Sequence, residues 1–552
     1  MTPDSLIQII ALIVAVYALV PRTRQLEIKM RFGFSLTFIS ILYILASILF
    51  FYYPYFRSTL PFLPEWTIDQ DLFTPSDVVF FLTLSITVFL WVFDKKSKIS
   101  IAELTGFQEL IDELMRLEQY EEAIYLLKRH WERLTQIHEG AFFTSKVKQK
   151  IKNLLIDKNI AIGKDALFFF DGYSRELVVN NKLSSKYGKI KSFFVLSFRK
   201  FIFFLLYGLS NRLRDNSKYS DIVGELFQST LHNEKLVQKL ATTQPYFSLQ
   251  VLALKKESRR GFLHLFFESL LHNEYSVLYR EIRNNQELEG MGKYIIKERN
   301  RFLFYLFSDI EKNDMLNIWK PIGDTTASFL RKHKHLEDDP YNKNSYDWED
   351  EIFQSPISIS IRYFDIMVSS ALHQNIKWHM WLYYFTYFVE LISKNINPHS
   401  AVDETDEWPT RYHFFLYDIF NVLKGWIDSG AELVPMGQSN VILRNKDSQH
   451  ENDNILKSSI IALSQCVKEV VNSDTLSERF KQYLVEDIFR IYFNLGQKQE
   501  TKDYAFVLKT LLKDGYGHEG EIYWRKILDY YSRFDKLSYS FENRELVKEF
   551  PK

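Results

Sequence analysis

Within its first hundred residues the chain carries three apolar runs without a single Asp, Glu, Lys, Arg or His: Ile7 to Val20, Phe34 to Tyr53 and Val78 to Phe93. A bilayer-spanning helix needs about 20 predominantly apolar residues, with about 17–25 the working range. The middle run meets that length directly. Phe50, Phe51, Tyr52, Tyr53 and Tyr55 mark its end with aromatic residues of the kind that settle at the headgroup level. The third run extends back through Leu72 and Phe73, and Trp91 lies near its exit. The first is the shortest. Asp4 stands where a secretory signal would be basic, and Arg22 and Arg24 follow the run, so it reads as an uncleaved helix. The spacing predicts membrane helices over residues 5–21, 33–53 and 74–94, making 1–99 a membrane domain.

Orientation follows from the Lys and Arg content of the short loops. Arg22, Arg24, Lys29 and Arg31 face one Glu27 after the first run, whereas Arg57 stands against Glu65, Asp69 and Asp71 after the second. Lys95, Lys96 and Lys98 follow the third. Each loop gives the same answer: N-terminus outside, Arg22–Arg31 inside, Pro54–Asp77 outside, and residues 100–552 in the cytoplasm of a cell-membrane protein. The single cysteine, Cys466, suits a reducing compartment.

Pumps and transporters usually keep ionisable groups at mid-membrane, and these runs contain none. Their small polar residues include Ser40, Ser47, Thr83 and Thr87, and the last two, four apart, share a helix face. Such residues pack helices together or, in an assembly, line a pore. Three helices are too few to enclose a conduit, so a channel would require a homo-oligomer.

The remainder reads as all-α. Gly 19 and Pro 14 in 552 residues is too sparse for a sheet-rich fold. At about 450 residues it exceeds one ordinary globular domain, so an extended repeat array is expected. Lys+Arg 69 balances Asp+Glu 69, which disfavours nucleic acid as the partner of the bulk surface. Phe107, Leu110, Ile111, Leu114 and Leu117 recur at helical spacing, and Tyr120, Ala123, Ile124 and Leu127 resume after a short break. The segment 110–137 resembles a tetratricopeptide hairpin, with Tyr120 and Ala123 at that family's tyrosine and close-approach alanine. The family's usual turn glycine and closing proline are missing.

An internal echo lies further on. Leu226–Glu234 (LFQSTLHNE) returns as Phe266–Glu274 (FFESLLHNE) and, more loosely, as Leu306–Asp314, each copy offset by 40 residues. A fourth begins at Ser369. That period falls in the range of paired-helix solenoids and predicts a repeat region over 216–430, with Asn233 and Asn273 as helix caps. His232 and His272 have no partner at metal-ligand spacing and read as turn residues, so no metal or cofactor is expected. Residues 100–215 form a hairpin region with a very apolar segment at 192–209. Arg199 and Lys200 sit in its middle, so it reads as a core or interfacial helix. Residues 431–454 read as linker or loop and 455–552 as a C-terminal helical region, while Trp348 and Asp350 in an acidic loop are candidates for binding a protein or peptide.

Two enzyme readings arise. Arg444-Asn445-Lys446-Asp447-Ser448-Gln449-His450 resembles the Arg–polar–spacer–His motif of HEPN ribonucleases, and Arg259 with His264 fits a looser form. The resemblance implies that Arg stabilises developing phosphate charge while His moves a proton across a dimer. Gly515-Tyr516-Gly517-His518-Glu519-Gly520 matches a dinucleotide fingerprint literally but lacks a preceding strand signal. The leading expectation is a membrane-anchored, cytoplasmic helical-repeat sensor or scaffold that controls permeability through oligomerisation, a layout that resembles prokaryotic antiviral effectors. A membrane-anchored ribonuclease and a passive scaffold are the alternatives.

Overall fold

The computed structural model describes residues 22, 25–27, 30, 43, 55, 99, 101–139, 217–254, 256–286, 296–334, 338–343, 352–374, 376, 381–397, 408–434, 454–514 and 520–534. Every regular element among them is helical, so the all-α class holds. No helix among the described residues is long and apolar enough to cross a membrane. The three apolar runs, with Ser40, Ser47, Thr83 and Thr87, lie outside the described residues, as does 192–209. The chain divides into two compact units, Met1–Thr230 and Leu231–Lys552.

In the first unit, α1 (Leu104–Arg116) and α2 (Tyr120–His138) form a hairpin. The periodicity seen in the sequence is the buried stripe: Phe107, Leu110, Ile111 and Leu114 pack with Ala123, Ile124 and Leu127. Ala123 is fully buried, as close helix approach requires. The turn is closed without glycine. Glu118 takes φ 58°, and the bonds Gln119 N–H to Leu114 O (2.9 Å) and Glu118 N–H to Met115 O (3.1 Å) complete a Schellman cap. A third helix, α3 (Ser217–Leu231), meets the far end of α2. There Phe227 packs on Trp131 and His138, and Ser220 donates to His138 O at 2.7 Å.

The second unit is built of helix pairs. They are α4 (Glu234–Thr243) with α5 (Pro245–Leu252), α6 (Lys256–Leu271) with α7 (Val277–Gln286), and α10 (Trp319–His333) with α11 (Pro356–His373). Next come α12 (Tyr384–Asn395) with α13 (Arg411–Glu432), α14 (Ile455–Asn472) with α15 (Glu478–Gln497), and α16 (Lys502–Asp514) with α17 (Gly520–Arg533). Two short helices, α8 (Arg301–Phe307) and α9 (Ile310–Leu316), lie between the second and third pairs. First members stack in the order α4, α6, α10, α12, α14, α16. Second members form a parallel row through α8, α11, α13, α15 and α17. Each pair therefore buries its apolar faces against the pairs before and after it, which is the physical logic of a helical-repeat array. Because α13 and α14 pack directly, the core continues across 431–454.

The pairs begin at Glu234, Lys256, Trp319, Tyr384, Ile455 and Lys502, at unequal intervals. The echo of 40 residues marks helix junctions instead of the pair spacing. Asn233 caps α4 by accepting from Leu236 N–H at 3.0 Å, as the sequence implies. Asn273 makes a local turn, its Oδ1 accepting from Tyr275 N–H at 3.0 Å. In the third copy the cap is Asp309, which accepts from Lys312 N–H at 3.0 Å. Beside the fourth, Gln374 accepts from Ile310 N–H and donates to Phe307 O, both at 2.9 Å, sealing the α8–α9 junction.

Buried polar groups tie the rows together. On α11, Arg362 reaches Asp418 of α13 at 2.7 Å, and Asp365 accepts from Trp426 Nε1 at 2.9 Å. Burial pushes the Asp418 carboxyl up, and the guanidinium offsets part of that shift. In the α10–α12 contact, a Cβ on Gly323 would lie 2.3 Å from the Tyr384 ring, so glycine is what admits the tyrosine. The acidic stretch near 339 is only partly a solvated loop. Asp339 is 4 % exposed and accepts from Tyr341 N–H and from the Tyr412 hydroxyl.

The α1–α2 turn gives a direct stability test. A left-handed conformation costs an L-residue about 1 kcal/mol that glycine avoids. Glu118→Gly is expected to stabilise the hairpin by about that amount, read as increased hydrogen-exchange protection of α1 and α2 amides.

Candidate coupling site at Glu27

A carboxylate is rarely removed from water without partners, because the desolvation cost amounts to several kcal/mol per ion. Glu27 is 1 % exposed. Its Oε1 accepts from His130 Nε2 at 2.9 Å, and its Oε2 lies 3.3 Å from Arg129 Nη1. Both partners stand on α2, 103 residues away in sequence for the histidine. The imidazole is itself held edge-on by Phe107 of α1, with ring centroids 5.4 Å apart. A second contact lies close by: Met30 Cγ is 3.5 Å from where a Cβ on Gly106 would sit. Ile99, at the entry to α1, is also buried. The segment around 25–30 is thus seated on the hairpin by one charged cluster and one apolar contact. This arrangement positions elements. It holds no nucleophile beside a base.

The sequence-predicted site residues fare differently. Arg259 and His264 both lie on α6 but do not converge. Arg259 Nη1 donates to Leu252 O at 3.3 Å and to Leu254 O, closing the end of α5, whereas His264 is exposed and 3.8 Å from Glu268. Five residues apart on one helix, the two point well away from each other, since each residue turns the helix by about 100°. Arg444, His450, Trp348 and Asp350 lie outside the described residues. His232 packs its ring over Gly261, and His272, just past the end of α6, has its Nδ1 2.9 Å from Glu268 O of that helix. Among the described residues no group of three His, Cys, Asp or Glu gathers as a metal set. The glycine cluster 515–520 falls between α16 and α17, which pack together, so helices flank it on both sides.

Other buried titratable groups serve packing. Burial lowers the His413 pKa to about 4, and its Nδ1 lies 2.8 Å from the Thr410 hydroxyl while Phe480 meets the ring edge-on. The Cys466 thiol is fully buried and burial pushes its pKa up, which suppresses thiolate reactivity.

Removing the Glu27 carboxylate takes the acceptor from His130 Nε2 and an ion-pair partner from Arg129 Nη1 at a buried position. Glu27→Ala is expected to destabilise the junction by about 3 kcal/mol. The measurement is hydrogen exchange of α2 amides around 127–134 in the full chain. The control Glu121→Ala, at an exposed position on the same helix, should change protection by less than about 0.5 kcal/mol.

No protein-family model matches the chain, and no curated protein or solved structure matches it.

Proposed function

We propose that the chain is a multi-pass cell-membrane protein in which residues 1–99 form a three-span anchor and the helical array is a cytoplasmic sensor or scaffold. In this reading the array binds a protein or peptide partner, and its occupancy changes self-association of the anchor and hence membrane permeability. The observation that carries it is the trio of uncharged apolar runs in the first hundred residues, and the seat of Glu27 and Met30 on the α1–α2 hairpin is compatible with it. Residues that touch must lie on one side of a bilayer. Residues 25–30 and the hairpin are separated in sequence by the second and third apolar runs. Two crossings, or none, leave both segments on one side, so the contact is compatible with both runs spanning and excludes only one of them spanning alone. The basic loop charges independently favour the cytoplasm for that side.

The remaining support concerns the array and the anchor. Stacked helix pairs offer a long continuous surface of the kind used for protein and peptide recognition. An anchor without ionisable residues in its apolar runs, with Thr83 and Thr87 on one face, suits helix association better than ion-coupled transport. The ribonuclease alternative gains nothing from Arg259, whose guanidinium is occupied with helix-end carbonyls.

The test is inducible expression of the full chain in cells carrying a potential-sensitive dye, followed by alkaline carbonate extraction of their membranes. The protein should stay in the carbonate-insoluble membrane fraction, and its accumulation in the presence of its natural trigger should depolarise the cells. Release by carbonate removes the anchor. Retention with a potential undisturbed even when the trigger is present removes the permeability role and leaves a scaffold.

A further inference from the structure

A cleft of about 340 Å³ opens in the second unit where α5, α7 and the segment leading into α8 meet. Its lining is polar: Tyr246, Arg280, Glu281, Asn284, Arg299 and Asn300. Arg280 and Arg299 are exposed guanidinium groups on its wall. A third, Arg301, lies over the Tyr246 ring at 5.2 Å from its centroid, fixing the aromatic plane by a cation–π contact. The hydroxyl of that tyrosine donates to Glu281 Oε1 at 3.0 Å and lies 3.4 Å from Arg280 Nη2.

Glu281 is the one acid on the wall, and it is already engaged. Its Oε2 accepts the backbone N–H groups of Phe302 (2.9 Å) and Leu303 (3.0 Å), capping the start of α8. Burial pushes its carboxyl up, and the bonds from Phe302, Leu303 and Tyr246 with the nearby Arg280 offset part of that shift.

Asn300 supplies the independent pointer. It is 1 % exposed, it lines the cleft, and its Nδ2 has no hydrogen-bond partner among the described residues. Buried amide donors are nearly always paired, so an unpaired one beside an open cleft calls for an acceptor from outside. A metal ion would face the guanidinium groups, and an apolar ligand would leave the amide unpaired. An oxygen-rich anion satisfies both, and guanidinium geometry matches phosphate oxygens in particular.

We infer that this cleft binds the phosphoryl group of a phosphorylated small molecule, with Arg280 and Arg299 pairing its oxygens and Asn300 Nδ2 donating to it. The site stands apart from the membrane reading and does not depend on it. The phosphoryl group can belong to a soluble phosphate ester or to a lipid headgroup, and the chemistry at the cleft is the same.

The test is isothermal titration of the full chain in detergent at low salt. One arm uses inorganic pyrophosphate and the other the short-chain lipid dihexanoyl phosphatidic acid. Saturable binding of one molecule per chain is expected in at least one arm, and which arm responds identifies the source. Arg280→Gln together with Arg299→Gln should weaken it by about tenfold or more, as expected for charge-assisted bonds. Asn300→Asp should weaken it too, since the substitution puts a negative charge where the donor stood. Both arginines are exposed, so their double variant is expected to keep its melting temperature and decides the question even if Asn300→Asp fails to fold. Absence of saturable binding in both arms, or unchanged affinity in the arginine variant, overturns the inference.

Discussion

A single buried carboxylate constrains this molecule more than any other group. Glu27 lies between the first two apolar runs, yet its carboxylate pairs with Arg129 and meets His130 Nε2 on the second helix of a hairpin that follows the third run. Two ions held in a site this dry stabilise the native arrangement only while both are present, so the pairing acts as a geometric tie. It holds the segment around 25–30 against the hairpin. The hairpin in turn begins the long helical part of the chain.

That long part owes its order to a different constraint. An isolated helix pair leaves an apolar face uncovered, and the pairs of the second unit cover one another in two rows from α4 to α17. The polar bonds inside the rows, such as Arg362 to Asp418 and Trp426 to Asp365, select which helix faces which partner. Most of the free energy comes from the aliphatic and aromatic stripes, among them Phe364, Phe385, Phe388 and Trp426. A surface of stacked pairs can add recognition sites without disturbing its core, and the Tyr246–Arg280–Arg299–Asn300 cleft is placed in that way.

Much of the local structure was legible in the sequence because it rests on short-range rules. The α1–α2 hairpin follows from apolar spacing with Ala123 at the close approach, and the cap at Asn233 follows from its position ahead of an apolar run. The left-handed turn residue was not legible, since Glu118 replaces the glycine that would have signalled it. The echo of 40 residues is a local signal: the same Leu/Phe–polar–Asn string ends α3 and α6, while the helix pairs that follow begin at unequal intervals. What escaped reading altogether is long-range. Nothing in the local pattern links Glu27 with His130, Asp339 with Tyr412, or Gly323 with Tyr384, because each contact depends on how distant helices stack. The cleft is illegible for the same reason, its walls coming from two helices and the turn that leads into α8.

The proposal that the second and third apolar runs cross a bilayer between residues 25–30 and the hairpin is most directly tested by cysteine accessibility in intact cells. Single substitutions Lys29→Cys and Ser58→Cys would be treated with a membrane-impermeant maleimide before and after permeabilisation, with the buried Cys466 as a silent background. The account predicts that position 58 labels in intact cells and position 29 only after permeabilisation. Labelling of position 29 in intact cells, or equal protection of both positions, would contradict it.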